Sequence, residues 1–424
     1  MKVLLVGGGG REHALAWKLA QSPRLEALMA APGNPGIAAC ARCVPVRDTA
    51  IDDIVALARR EAPDLVVVGP ELPLALGLAD RLREAGVAVF GPGAAAARIE
   101  SSKAFAKGLM ARHGIPTAGF RTFTDPSDAR AYCRELGTPV VVKADGLAAG
   151  KGALVCADID EADRAVSLCL EQRAFGDAGQ VVVIEEFMEG EEASFFVLSD
   201  GEAVLPLAPA QDHKTVFDGD RGPNTGGMGA YSPAPVLPPA MQARVMAEIV
   251  RPTIGAMAHE GVRYQGALYV GLMITPKGPR VVEFNCRFGD PECQVILPRL
   301  DQDLLPLLHA AATGGGLPDT VPWRSESSVC VVMASGGYPG EYRTGLPISG
   351  VDEANRLVGV TVFHAGTAVV NGHLVTAGGR VLGVQAVGAS ILEASARAYD
   401  GVERIEFAGH HYRGDIARRA SVLR

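Results

Sequence analysis

Apolar residues recur along this chain in short runs, and the runs alternate between two spacings. Residues 2–6, Lys-Val-Leu-Leu-Val, are almost continuously apolar and of strand length, as expected for a parallel strand covered on both faces. Residues 11–19 follow with helical spacing. The alternation continues with a strand at 25–30, a helix at 51–61, a strand at 65–68, a helix at 74–85 and a strand at 87–90. This repetition predicts an open parallel sheet whose ligands sit beyond the carboxyl ends of its strands.

The pattern changes near residue 101. A helix is predicted over 103–113, ended by Gly114-Ile115-Pro116. Strands at 119–123 and 139–143 flank another helix. Residues 153–156 read as a return strand, so the small residues between them form a hairpin flap. A helix at 161–171 precedes a strand at 181–184, which leads into Glu185-Glu186-Phe187-Met188-Glu189-Gly190-Glu191-Glu192. A hairpin is predicted from 193–198 and 202–207. Residues 211–233 have little periodicity and read as a long functional loop. A helix over 241–260 should kink at Pro252. Strands at 266–274 and 280–285 pair as a hairpin, and 295–308 holds further helix. From about 327, short strands at 329–334, 361–364, 368–370 and 380–386 and a helix at 390–398 predict a small α+β domain. The expected units are 1–100, 101–325 with a flap subdomain at 119–190, and 326–424.

The fold class is therefore mixed α/β and α+β, in several domains. Composition agrees: 424 residues, 48% hydrophobic and 21% charged, is ordinary for a globular protein of that organisation. The net charge of −8 gives no general affinity for nucleic acid. No apolar run approaches the length of a membrane span. Eight scattered cysteines form no disulfide framework, which points to a reducing, cytoplasmic setting. Cys40 and Cys43 form a lone C-x-x-C, with half-buried thiols expected rather than zinc.

The strongest chemical signal is Glu283-Phe284-Asn285-Cys286-Arg287-Phe288-Gly289-Asp290-Pro291. Strand alternation projects Glu283, Asn285 and Arg287 from one face. A carboxylate and an amide oxygen suit a hard cation, and a guanidinium suits a phosphate or acyl phosphate. A solvated polar face is the competing interpretation, and the Gly-Asp-Pro turn weighs against it. At the other end, Gly7-Gly8-Gly9-Gly10 between strand and helix predicts a phosphate turn. A dinucleotide fingerprint fails, because Glu12 stands where a third glycine is needed and no ribose-binding acid follows the second strand. A monophosphate is expected there, or a tight turn alone. The flap around Lys143, Gly146, Gly150, Lys151 and Gly152 suits triphosphate oxygens. Glu185–Glu192 offers an adenine slot or a solvated hinge. His213 is either a general base or an ordinary hydrogen-bonded loop histidine.

Taken in order, Lys103, Lys143 with its flap, the acidic hinge and E-x-N-x-R resemble the ATP-grasp ligases. The longer motifs Gly9-Gly-Arg-Glu-His-Ala14, Ala31-Pro-Gly-Asn34, Val68-Gly-Pro-Glu71, Gly222-Pro-Asn-Thr-Gly-Gly-Met-Gly229 and Glu283–Glu292 resemble the phosphoribosylamine–glycine ligase family across essentially the whole chain. The resemblance implies an amino-terminal open sheet, an ATP-grasp core with a mobile flap, and a carboxyl-terminal domain. It implies ligation of glycine to 5-phosphoribosylamine with ATP, through glycyl phosphate, by a cytoplasmic monomer with no nucleic-acid or membrane partner. By residue-wise carry-over, Lys103, Lys143, Gly146, Gly150, Lys151 and Gly152 hold ATP phosphates. Glu185, Glu186, Met188 and Glu192 hold adenosine, and Glu283 and Asn285 hold magnesium or manganese. Arg287, Asp290 and Lys143 are the expected catalytic residues. Gly8, Gly9, Gly10, Asn34, Glu71, Asp212, Lys214, Gly226 and Gly227 are the expected substrate contacts. Two departures stand out: Gly271 falls where many ATP-grasp enzymes place a second acidic metal ligand, and Thr215 replaces an expected basic residue. Another ATP-grasp carboxylate–amine ligase is the nearest alternative. A dinucleotide-dependent oxidoreductase and a non-catalytic nucleotide-binding regulator are more distant ones.

Overall fold

The computed structural model describes residues 1–148 and 152–421. The amino-terminal part runs β1 (Lys2–Gly7), α1 (Gly10–Leu19), β2 (Ala27–Pro32), β3 (Arg42–Cys43), α2 (Ile51–Glu61), β4 (Leu65–Val68), α3 (Glu71–Ala75), α4 (Leu78–Glu84) and β5 (Val89–Phe90). Its strands lie in the order β3-β2-β1-β4-β5, all parallel. Val3, Leu4, Leu5 and Val6 are fully buried, as a strand covered on both faces requires. Because β1, β2 and β4 end at one edge of the sheet, the glycine turn, Asn34 and Glu71 are brought together there. Two expectations shift. The second strand begins two residues later than its apolar run. The helix predicted over 74–85 is two helices, broken at Gly77, whose φ of 84° a continuous helix cannot accommodate.

The central part opens with α5 (Ala94–Ser101), which the sequence pattern did not reveal, because four successive alanines give no periodic contrast. Next come α6 (Lys103–His113), β6 (Phe120–Phe123), α7 (Pro126–Leu136), β7 (Val140–Ala144), β8 (Ala153–Cys156), α8 (Ile159–Val166) and β9 (Val182–Glu186). The four strands form an antiparallel sheet in the order β6-β9-β7-β8, with its own apolar core around Val140, Val142, Val166 and Ile184. The larger sheet is β11-β10-β16-β17, built from β10 (Glu191–Asp200), β11 (Val204–Pro206), β16 (Gln265–Thr275) and β17 (Gly278–Asn285). Its Phe195, Leu268 and Val270 share one core with Leu4 and Val66 of the parallel sheet. That shared core fixes the two parts against each other.

The segment over 211–233 is not structureless. It contains β12 (Gln211–Asp212), β13 (Thr215–Phe217), β14 (Arg221–Asn224) and β15 (Gly229–Ser232). These strands are two to four residues long, too short for a period to show. Then follow α9 (Pro239–Val245) and α10 (Arg251–His259), joined by a wider helical turn at Met246–Val250. The helical run is thus continuous over residues 239–259, and Pro252 lies just past the wider turn, where the regular main-chain bonding is already interrupted.

After α11 (Glu292–Ile296) and α12 (Leu304–Thr313) come β18 (Ser327–Ala334), α13 (Val351–Asn355), β19 (Val360–His364), β20 (Thr367–Val370), β21 (His373–Thr376), β22 (Arg380–Gly388) and α14 (Ile391–Val402). The last large sheet is β12-β15-β18-β22-β19, so two strands of the glycine-rich segment form its edge. Through them the carboxyl-terminal sheet reaches the ends of β1 and β17.

Candidate active site

Strand β17 is the spine of the site. Its register places Glu283 opposite Gly271 and Asn285 opposite Tyr269, with an irregularity just beyond Gly271. No acid therefore faces Glu283 from β16. Burial disfavours the Glu283 charge, but Lys214, Lys143, Lys103 and Arg287 outweigh it and hold the carboxyl below its ordinary value. The Asn285 Nδ2 group donates to Glu100 at 3.1 Å, which leaves its amide oxygen as the outward-facing end.

Arg287 is gripped from two sides. Nε donates to Glu71 at 3.1 Å, Nη2 lies 3.0 Å from Glu100, and Nη1 donates to the Phe288 carbonyl at 3.2 Å. Three of its five N–H groups are engaged in these contacts. Glu71 is opposed by burial, but Arg287 and Arg11 bring its carboxyl down to about 2. Glu100 is pushed up by burial despite Arg287, and it also accepts the Cys286 amide at 2.7 Å.

Below this lie the lysines. Lys143 Nζ is 3.0 Å from both Glu185 oxygens and donates to the Val282 carbonyl at 3.1 Å. Lys103 Nζ donates to the Gly146 carbonyl at 3.0 Å, at the foot of the flap. Burial and Lys143 lower the Lys103 pKa, against Glu283. The Gly152 carbonyl accepts the Ala144 amide at 2.8 Å and closes the flap's base. Gly150 and Lys151 lie outside the described residues.

In the hinge, Glu186 accepts the Gly119 amide at 2.9 Å and pairs with Arg280 at 3.0 Å. Met188 is buried. Glu192 pairs with Lys214 at 2.9 Å while remaining partly exposed. The carboxylates of Glu185 and Glu186 are thus held by protein cations. Asp212, on β12, is pushed up to about 7 by burial against the pull of Lys214. Burial works against Lys214, yet Glu192 and Asp212 raise its pKa well above the ordinary value.

The amino-terminal turn differs from a free phosphate cradle. Glu12 reaches back to accept the Gly9 amide at 2.7 Å, and Asp290 accepts the Arg11 amide at 3.4 Å. Two carboxylates thus take the first amides of α1, which is the stabilising place for negative charge. The glycines have a steric reason as well. A side chain at Gly7 would meet Glu12 Cγ at 2.6 Å, and one at Gly8 would meet the Gly33 carbonyl at 2.4 Å. Asn34 is structural: Nδ2 donates to Gly8 at 2.9 Å and to His364 at 2.8 Å, and Oδ1 accepts the Ile37 amide at 2.9 Å. His213 is likewise an ordinary buried histidine. Its Nε2 accepts the Ala417 amide at 3.1 Å, and Arg419 lies 3.0 Å from Nδ1. Thr215 faces away from the site and accepts from Arg413 at 2.9 Å. The thiols of Cys40 and Cys43 donate to the carbonyls of Ile37 and Asn34.

The Gly226-Gly227 loop and the Asp290 turn are tied by one residue, Arg380 of β22. Its Nη1 donates to the carbonyls of Asp290, Gly226 and Gly227 at 2.6, 2.7 and 3.3 Å, and Nη2 lies 3.5 Å from the Asp290 carboxylate. Burial opposes the Asp290 charge, but Arg380 and Arg11 keep its carboxyl below the ordinary value. Residues from six separate stretches thus converge in one polar region, from Lys103 and Lys143 through Glu283, Asn285, Glu100, Arg287 and Glu71 to Asp290, Arg380 and Gly226.

Models of the phosphoribosylglycinamide synthetase N domain, ATP-grasp (A) domain and C domain match residues 1–100, 101–293 and 328–419. The chain belongs to the phosphoribosylamine–glycine ligase family. It is 56% identical over 420 residues to the phosphoribosylamine–glycine ligase of Rhizobium meliloti, with 99% of each chain covered. It is 52% identical over 423 residues to that of Pseudomonas aeruginosa, covering 99% of this chain and 98% of the relative. A crystal structure of phosphoribosylamine–glycine ligase from Thermotoga maritima superposes with a TM-score of 0.86 at 32% identity, covering 98% of this chain and 100% of that one. A biotin carboxylase from Campylobacter jejuni has a TM-score of 0.74 at 15% identity, covering 97% of this chain and 92% of that one, a likeness of fold alone.

Four residues of this family member's site escaped the sequence reading. Glu100 sits in the alanine-rich helix that has no periodic signal. Arg11 stands inside the glycine-turn motif but reads there as an ordinary helix residue. Arg380 follows Gly378-Gly379 and reads as a turn. Lys107 lies four residues after Lys103 on α6, hence on the same helical face, and that spacing was the available clue.

Proposed function

We propose that this chain joins glycine to 5-phosphoribosylamine with ATP, giving glycinamide ribonucleotide, ADP and phosphate, a step of purine biosynthesis. The observation that carries the proposal is the convergence of Lys103, Lys143, Glu283, Asn285 and Arg287 on one face beside the Gly226-Gly227 loop and the ends of β1 and β4.

A carboxylate is a poor acyl donor, so glycine is activated first. One glycine oxygen attacks the γ-phosphorus, the bond to the β–γ bridging oxygen breaks, and ADP leaves. Lys103, Lys143 and the flap hold the phosphates, so catalysis at this stage is positioning and charge neutralisation. The hinge contributes main-chain groups and Met188 to the base, and the partly exposed Glu192 carboxylate to the ribose. The remaining guanidinium N–H groups of Arg287 face the transferring phosphoryl group and then the acyl phosphate.

Glu283 and Asn285 fit a hard divalent cation: both present oxygen, and the carboxyl is held ionised. Among the described residues no group of three His, Cys, Asp or Glu side chains has metal-binding geometry, so Glu283 and Asn285 are the protein groups that would hold the cation. Bound magnesium or manganese there neutralises charge on the transferring phosphate.

In the second step the phosphoribosylamine nitrogen attacks the glycyl carbonyl carbon, the acyl–phosphate bond breaks, and the nitrogen loses a proton. The turn at Gly8–Gly10, Glu71, Asp290, Asp212, Lys214 and the Gly226-Gly227 loop enclose this substrate end. Asn34 holds the turn in shape instead of touching the substrate with its side chain.

The test is ADP release with glycine alone, with phosphoribosylamine alone and with both. Release that needs both substrates is the expected result. Equal release without glycine removes the ligase assignment.

A further inference from the structure

A closed ring of hydrogen bonds lies under Lys143 and includes a lysine with no role in the mechanism above. Lys107 Nζ is 2.9 Å from Glu185 Oε2 and donates to Thr117 Oγ1 at 2.8 Å. Thr117 Oγ1 donates to the Val281 carbonyl at 2.7 Å. Lys143 donates to Glu185 at 3.0 Å and to the Val282 carbonyl at 3.1 Å. The ring therefore starts and ends on adjacent residues of β17, immediately before Glu283. Lys107, Lys143 and Glu185 are all buried, with side-chain exposures of 3%, 6% and 2%.

The charge count decides what Lys107 does. Within the ring one buried carboxylate faces two ammonium groups, so the ring carries an excess positive charge, part of which acts on the Glu283 carboxylate. With Lys107 absent, Glu185 and Lys143, which already lie 3.0 Å apart, would neutralise each other, and the whole Lys143 charge would be taken up by Glu185. With Lys107 present, the Glu185 carboxylate is shared, and the excess charge stays available above it. Burial holds the Lys107 pKa down to about 8, against the attraction of Glu185, which marks how enclosed the pair is. Lys103 on the same helical face reaches the flap at Gly146, so α6 supplies one lysine to the phosphates and one to the support beneath them.

We propose that Lys107 is a positioning residue of the nucleotide site: it shares Glu185 so that Lys143 keeps both its place and its charge for the ATP phosphates. This rests on the placement of ATP over Lys143 proposed above.

The test uses the full chain with Lys107→Met, Lys107→Arg, and Lys107→Met combined with Glu185→Gln. MgADP affinity is measured by calorimetry, and KM for ATP and for glycine by steady-state kinetics. Lys107→Met should weaken MgADP binding and raise KM for ATP by about tenfold or more, with KM for glycine within about twofold. Lys107→Arg, which retains the charge, should recover part of the loss. The double variant removes both Glu185 and the need to share it, so it should bind MgADP more tightly than Lys107→Met. It also leaves no uncompensated buried carboxylate, so it carries the test if the single variant does not fold; near-wild-type MgADP affinity is then the supporting result. A folded Lys107→Met with unchanged MgADP affinity and a lowered Tm alone makes Lys107 a structural brace and overturns the proposal. Lys143→Ala is the control for its premise. If Lys143→Ala leaves MgADP affinity unchanged, the ATP placement itself is wrong and the role of Lys107 falls with it.

Discussion

Arg380 Nη1 lies 2.6 Å from the main-chain oxygen of Asp290, although Arg380 opens β22, Asp290 lies in the turn between β17 and α11, and the two are ninety positions apart in the chain. The same nitrogen holds Gly226 and Gly227, so the carboxyl-terminal domain sets the shape of the Gly226-Gly227 loop. Removing this charged donor leaves three carbonyls without it, each such bond contributing about 1.5–3 kcal/mol where a charged group takes part. Arg380→Ala should therefore raise KM for phosphoribosylamine by about tenfold to a hundredfold and leave MgADP affinity near wild type. Steady-state kinetics with each substrate varied in turn, together with MgADP calorimetry, checks this. An equal loss for every ligand would point to general unfolding instead.

Arg287→Ala should retain nucleotide binding and lose turnover by roughly a hundredfold to a thousandfold, the usual cost of removing one preorganised charge stabiliser. Glu71 and Glu100 would lose their shared partner, so some stability is lost too. Comparing kcat with MgADP affinity and with Tm separates these effects. Near-normal kcat would remove Arg287 from phosphoryl transfer.

Glu283 has no acidic partner across the strand, since Gly271 stands opposite it. The metal should thus depend on Glu283 more than it would in a site with two acids. Glu283→Gln is expected to raise the magnesium concentration for half-maximal rate by about tenfold or more. A magnesium titration at saturating ATP checks it, and an unchanged half-point would place the cation elsewhere.

His13 Nδ1 accepts the His364 amide at 2.8 Å, which requires the ring to lack a proton there. Burial first, and His364 second, lower the His13 pKa from 6.5 to about 3; burial lowers that of His364 to about 4. The unfolded chain thus takes up these protons before the folded one. Stability from this contact is complete above about pH 6.5 and falls as the pH drops toward 3, by about 1.4 kcal/mol per pH unit for each histidine. Urea unfolding between pH 7.5 and 4.5 should show a shallower slope for His13→Asn than for wild type. Identical slopes would show that His13 titrates alike in both states.

Much of the fold was legible because local rules act over a few residues. The limits of α2, β4 and α6 follow from apolar spacing and turn residues, and they coincide with the structure. Strand alternation placed Glu283 and Asn285 on one face of β17, and Arg287, just past the end of that strand, meets the same Glu100 as Asn285. Where the signal was weak, the reason is physical. β12 and β15 join the sheet of β18, ninety or more residues on, β13 and β14 pair with each other in a sheet of their own, and α5 opens with four alanines that mark no face.

By itself the sequence determined the element types, the parallel amino-terminal sheet, the polar face of β17 and the family. These depend on period, on turn chemistry and on long motifs. Tertiary structure alone decided how those groups are partnered. The amides at the start of α1 are taken by Glu12 and Asp290, and Asn34 is bound on all sides by main chain. Arg287 sits between Glu71 and Glu100, and Glu185 between Lys107 and Lys143. Such pairings follow from distances across the fold, and a charged side chain's role depends on which opposite charge reaches it when water is excluded.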